Sequence, residues 1–161
     1  MRRSAAVLTM LLLSVILGTS FATATDETLA TGGAGGIYPP GTTFDGVAIS
    51  RLQLGFGVEI SPDSSALGQF AAVLIGVSPL GLEQDITIEG EATNGSGNAG
   101  NIAIYSGTAT VDMGDGLPAT PGIPFTVTVT TDADGHGTVG LVIGLTTLPN
   151  ATVNAGSMTI E

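Results

Sequence analysis

Apolar residues occupy every second position along several stretches of the chain. The clearest run lies within residues 51–60, where apolar side chains alternate with polar residues or glycine: Leu52, Leu54, Phe56, Val58 and Ile60. A period of two is the pattern of an extended strand that buries one face and exposes the other. The pattern returns in residues 85–89, 125–130 and 139–145. This repeated alternation predicts an all-β domain.

Residues 65–77 are the stretch that also fits a helix, because Leu67, Phe70 and Leu74 lie at helical spacing. Gly76 and the β-branched residues near the end of this stretch favour a buried strand instead. Strands are therefore predicted over these residues: 43–49, 51–60, 68–77, 84–92, 101–112, 123–131, 137–146 and 151–160.

Turn signals separate the predicted strands, among them Asp134-Gly135 and Pro149-Asn150. Strands that succeed one another after such turns pair antiparallel. We therefore predict a single antiparallel β-sandwich of about eight strands over residues 43–161, with a small closed β-barrel as the alternative.

The N-terminus has the features of a secretory signal peptide. Arg2 and Arg3 precede an apolar run from Val7 to Leu17, and Ala22-Thr23-Ala24 supplies an A-x-A cleavage site. We expect general secretion and cleavage after Ala24, which would place the mature protein outside the cell or in the periplasm. The apolar run is too short for a membrane-spanning helix, so we expect no membrane insertion after cleavage.

Residues 25–42 follow the predicted signal peptide and are rich in glycine and proline. This composition is typical of a flexible linker. The sequence therefore predicts three parts: a signal peptide (1–24), a linker (25–42) and a β-domain (43–161).

The chain is strongly acidic, with 14 acidic and 3 basic residues, no cysteine and a formal net charge of -11. Loss of Arg2 and Arg3 with the leader would leave 1 basic against 14 acidic residues, or -13. Disulfides, cysteine nucleophiles and thiolate metal sites are excluded, and a nucleic-acid partner is not expected because phosphates require clustered Lys and Arg. Cationic partners, calcium, a neutral glycan or another surface protein remain open.

Two acidic loops are candidates for calcium binding. Asp132 and Asp134 stand at alternate positions before Gly135, and Asp112 and Asp115 flank another glycine turn. If the two loops met at one end of the domain, the four carboxylates could share a calcium ion. The preferred interpretation of each loop is a plain turn, with Asp134-Gly135 closing a hairpin, and the shared calcium site is the alternative hypothesis. No other cofactor is expected.

Catalytic residues are not evident in the sequence. His136 is the single histidine and lies between two glycines in a predicted turn. Glu89 and Glu91 are close enough in sequence to suggest a glycosidase pair, but both are expected to project from one strand face toward solvent. We therefore predict that the protein is not an enzyme.

Three segments carry a family resemblance: Ser106–Val111 (SGTATV), Phe125–Val129 (FTVTV) and Gly156–Ile160 (GSMTI). In these segments the chain resembles small uncharacterised all-β domains of secreted bacterial proteins, over about residues 43–161. The resemblance implies an exported β-domain and assigns no catalytic residues.

The leading functional hypothesis is a non-enzymatic secreted or cell-surface module, structural or binding, with an acidic surface. The alternative is a calcium-assisted carbohydrate-binding or adhesion module that uses Asp112, Asp115, Asp132 and Asp134. A hydrolase that uses acidic residues is the third hypothesis.

Overall fold

The computed structural model describes residues 27–98 and 101–161, and all its regular structure is β-strand. The strands are β1 (Thr28–Ile37), β2 (Thr43–Phe44), β3 (Val47–Ile60), β4 (Ser65–Val77), β5 (Glu83–Asn98), β6 (Ile102–Asp112), β7 (Thr120–Thr131), β8 (Gly137–Ile143), β9 (Thr146–Thr147) and β10 (Ala151–Ile160). The predicted signal peptide, residues 1–24, lies outside the described residues.

The strands form one antiparallel sheet that closes on itself. Its order is β1-β10-β8-β7-β6-β5-β4-β3-β2, and β1 also pairs with β3. The result is a ring of β1, β10, β8, β7, β6, β5, β4 and β3, to which the two-residue strands β2 and β9 are added. The predicted all-β antiparallel class is confirmed. Closure leaves the long strands β1 and β3 without a free edge.

The prediction of a flexible linker over residues 25–42 is wrong for residues 28–37, which form β1. This strand pairs with β3 from Thr28 to Ile37 and with β10 from Ala30 to Ile37. Its glycines provide space between two neighbouring strands: a Cβ atom on Gly32 would lie 2.7 Å from the Ser157 carbonyl oxygen. Glycine here permits close packing and does not mark flexibility.

Strand β3 spans parts of two segments, 43–49 and 51–60, that the sequence predicts as separate strands. The alternation changes phase at a bulge between Ile49 and Arg51, so one continuous strand resembles two. Before it, Asp45 and Gly46 turn the chain with positive φ angles of 47° and 85°. The stretch 65–77 is strand β4, as predicted.

The core lies inside the ring. It is mainly aliphatic, and four aromatic rings gather at its centre: Phe56, Phe70, Tyr105 and Phe125. Phe70 and Phe125 are the closest pair, with ring centroids 4.5 Å apart. Contacts between rings at this separation add stability beyond the buried area.

Two tyrosine hydroxyls are buried without a hydrogen-bond partner among the described residues, those of Tyr38 and Tyr105. Desolvation raises the pKa of both phenols above the usual value. The folded protein therefore favours the neutral form of each tyrosine.

These pKa shifts predict that stability falls at alkaline pH. Above about pH 10 the unfolded chain releases phenolic protons that the folded protein keeps, so the free energy of unfolding should decrease by about 1.4 kcal/mol per pH unit for each tyrosine. Denaturant unfolding at a series of alkaline pH values measures this slope. Tyr105→Phe should remove half of the slope without lowering stability at neutral pH, because it removes an unsatisfied hydroxyl. Phenolate absorbance that rises before the protein unfolds would contradict the burial of these groups.

Candidate functional site

The connections between strands lie at the two ends of the ring. Because consecutive connections in an antiparallel sheet alternate between ends, residues 38–46, 78–82, 113–119 and 144–150 lie at one end, which we call the first end. The β3–β4 and β7–β8 connections lie at the other, the second end.

The two acidic loops do not meet. The loop with Asp112 and Asp115 precedes β7 at the first end, whereas Asp132 and Asp134 follow β7 at the second end. The full length of β7 separates them, which is about 40 Å for an extended strand of this size. The four carboxylates are therefore too far apart to share one calcium ion.

Three of the four aspartates, Asp112, Asp115 and Asp132, instead accept backbone hydrogen bonds within their own turns. Asp132 Oδ1 accepts the N–H groups of Asp134 and His136, at 3.0 and 2.9 Å. Asp112 Oδ1 accepts the Gly114 N–H at 2.9 Å. The hairpin interpretation of Asp134-Gly135 is confirmed, since β7 and β8 pair on either side of this turn. Within residues 27–98 and 101–161 no group of three or more His, Asp or Glu side chains could hold a metal ion.

A groove of about 750 Å³ lies across strands β3, β4, β5 and β6, and we call it the outer groove. The side chains that point outward into it come from two adjacent rows of paired residues. The first row is Gly55, Ala71, Glu89 and Thr110, and the second row is Gly57, Gln69, Glu91 and Thr108.

The shape of the outer groove follows from side-chain size. Nothing lies within 4 Å of where a Cβ atom would stand on Gly55 or Gly57, so β3 contributes only backbone there. Gln69 and the two glutamates are the long side chains of the rows. The groove therefore has a low floor along β3 and a polar wall along β5.

The aromatic cluster supports the groove from inside the ring. The row between the two outward rows faces inward and consists of Phe56, Phe70, Gly90 and Ala109. A Cβ atom on Gly90 would stand 2.4 Å from Cε1 of Phe70 and 2.8 Å from Cε1 of Phe125. The rings thus pack directly under the backbone that carries the two glutamates, which fixes where their side chains begin.

The outer groove presents mainly hydrogen-bond acceptors. Glu89 and Glu91 are both exposed and project from the same face of β5, as predicted, with Cα atoms about 7 Å apart in an extended strand. Among the described residues, none that lines the groove carries a basic side chain. Its field therefore attracts cations and N–H donors. The sequence alone could not locate this groove, because it depends on the register of four strands.

The remaining candidate, His136, is exposed in the turn between β7 and β8 at the second end of the ring. It is not among the residues that line the groove. No helix long and apolar enough to span a membrane occurs in the described residues. Comparisons with protein-family models, curated proteins and solved structures find no match.

The contact between Gly90 and the rings yields a paired prediction. Gly90→Ala should destabilise the protein by about 1–3 kcal/mol, since two packed rings must move. Gly55→Ala, in a paired strand and with open space around the new methyl group, should be neutral or stabilising by up to about 1 kcal/mol. Denaturant unfolding of both variants measures the difference. Equal effects of the two substitutions would contradict the close packing under the groove.

Proposed function

We propose that this protein is a non-enzymatic, secreted or cell-surface binding module that binds a cationic ligand in the outer groove. The observation that carries the proposal is the pair Glu89 and Glu91, side by side in a groove whose lining contains no basic side chain within residues 27–98 and 101–161. A ligand with several amino or guanidinium groups would donate charge-assisted hydrogen bonds to both carboxylates.

The lining favours a cation over a neutral glycan. Sugar-binding clefts commonly stack the sugar on an exposed aromatic ring, and the aromatic residues of this groove, Phe56 and Phe70, are buried beneath its floor. Gln69, Thr108 and Thr110 can add neutral hydrogen bonds around the two carboxylates. The excess of acidic residues over the whole chain also raises the local concentration of a cation.

Exposure of both glutamates supports a binding role over a hydrolytic one. A general acid needs an environment that favours its protonated form, usually a desolvated one. Glu89 and Glu91 are instead on the outer face in contact with water. The calcium-assisted alternative loses support, because the four aspartates are divided between the two ends of the ring.

Isothermal titration with spermine, a linear polyamine, tests the proposal. We expect binding that weakens with added salt, and a loss of at least about tenfold in affinity for the Glu89→Gln/Glu91→Gln variant. The matched control is Glu27→Gln/Glu59→Gln, which removes the same charge outside the groove and should retain most of the affinity.

Two results would contradict the proposal. Equal losses in the two double variants would mean that spermine responds only to net charge. Tight binding of a neutral oligosaccharide that is insensitive to salt would mean that the groove recognises sugar.

A further inference from the structure

Large apolar side chains are exposed in every connection at the first end of the ring or at the strand ends beside it. They are Ile37, Val77, Leu80, Leu82, Leu117 and Leu145. Leu80, Leu117 and Leu145 expose 86%, 69% and 103% of their reference surface, so most of each residue is open to solvent. We call these six side chains the apolar end.

These leucines are exposed although the loops that carry them have defined structure. The Ser78 N–H donates to the Leu82 carbonyl at 2.8 Å and the Gly81 N–H donates to the Ser78 carbonyl at 2.9 Å, so backbone bonds hold Leu80 at the tip of a turn. On the β6–β7 connection, the Leu117 N–H donates to Asp115 Oδ1 at 2.9 Å. Turns of defined shape thus present apolar side chains to water, which marks an interaction surface when several lie together.

A smaller cavity of about 300 Å³ opens among these loops. Its apolar lining consists of Phe44, Val111, Met113, Ile123 and Ile143. Gly144 and Thr146, on either side of Leu145, also line the cavity. Gln84 Nε2 donates to the Met113 carbonyl at 2.7 Å and holds one wall in place. The cavity can receive an aliphatic side chain.

Carboxylates surround the apolar end. Asp45 lines the cavity, Glu83 follows Leu82, and Asp115 lies two residues before Leu117. The four connections at this end, residues 38–46, 78–82, 113–119 and 144–150, contain no lysine, arginine or histidine. The connections therefore combine exposed apolar side chains with negative charge, and the basic side chain nearest in the pairing is Arg51, opposite Ile37 on the neighbouring strand.

We propose that the apolar end docks a basic amphipathic segment of another polypeptide. Its aliphatic side chains would pack against the leucines, with one entering the cavity, and its lysines or arginines would face Asp45, Glu83 and Asp115. This charge complementarity decides against a second copy of the chain, because two such ends would bring carboxylates together. It also decides against a lipid surface, where the same carboxylates would approach phosphate groups.

Fluorescence anisotropy with a labelled Leu/Lys amphipathic peptide tests the inference, beside a Leu/Glu peptide of the same pattern. The Leu/Lys peptide should bind and the Leu/Glu peptide should not. Leu80→Ser/Leu145→Ser should weaken binding by at least about tenfold, because the two most exposed apolar side chains of this end are lost. Leu67→Ser is the matched control: Leu67 is 78% exposed, but it lies near the second end and its substitution should leave binding unchanged.

The groove variant Glu89→Gln/Glu91→Gln separates this inference from the proposed function and should bind the Leu/Lys peptide normally. Loss of peptide binding in that variant alone would overturn the inference and assign the peptide to the groove. Equal loss in Leu67→Ser, or no binding of the Leu/Lys peptide, would also overturn it. So would binding of the wild-type protein to neutral phosphatidylcholine vesicles, or a dimer in sedimentation that disappears in Leu80→Ser/Leu145→Ser.

Discussion

The pairing of β1 with both β3 and β10 is the constraint on which the rest of the structure depends. It joins the second-longest strand of the sheet to the last strand of the chain and removes two edges at once. An unpaired edge leaves backbone N–H and C=O groups open to other chains. The small residues of β1, such as Ala30, Gly32 and Ala34, allow it to lie between both partners. Closure in turn gives the ring an interior, an outer face and two ends.

Side-chain size then determines how the inner face of the ring packs and what shape the outer groove has. On the inner face, Gly90 leaves room for the rings of Phe70 and Phe125, which fill the centre of a core that has no tryptophan. On the outer face, Gly55 and Gly57 lower one side of the groove beside Glu89. Glycine thus allows close packing on the inner face and lowers the groove floor on the outer face. Carboxylates lie in both the groove and the first end, so a cationic partner would be favoured at both proposed sites.

The sequence predicts correctly those strands in which apolar and polar residues alternate clearly. The prediction fails where glycine-rich composition hides a strand. The alternation in residues 51–60 and 125–130 predicts strands, because one face of each must be buried. The sequence does not predict β1, because its glycines are typical of a flexible linker, and it ends the strand 84–92 six residues before β5 ends at Asn98. The outer groove depends on strand register, which aligns residues of β3, β4, β5 and β6 in shared rows, and the apolar end depends on the ring, which gathers four distant connections at one end. Local pattern does not contain that information. It did correctly place Glu89 and Glu91 on one exposed face.

Native-state hydrogen exchange of the β1 amides tests ring closure most directly. If β1 is paired on both sides, the amides from Thr31 to Gly36 should be protected to a degree similar to those of β3, because they open only when the ring opens. Exchange of these amides at the rate of an unstructured chain, while β3 and β10 stay protected, would contradict closure. Such fast exchange would mean that residues 28–37 are a flexible linker.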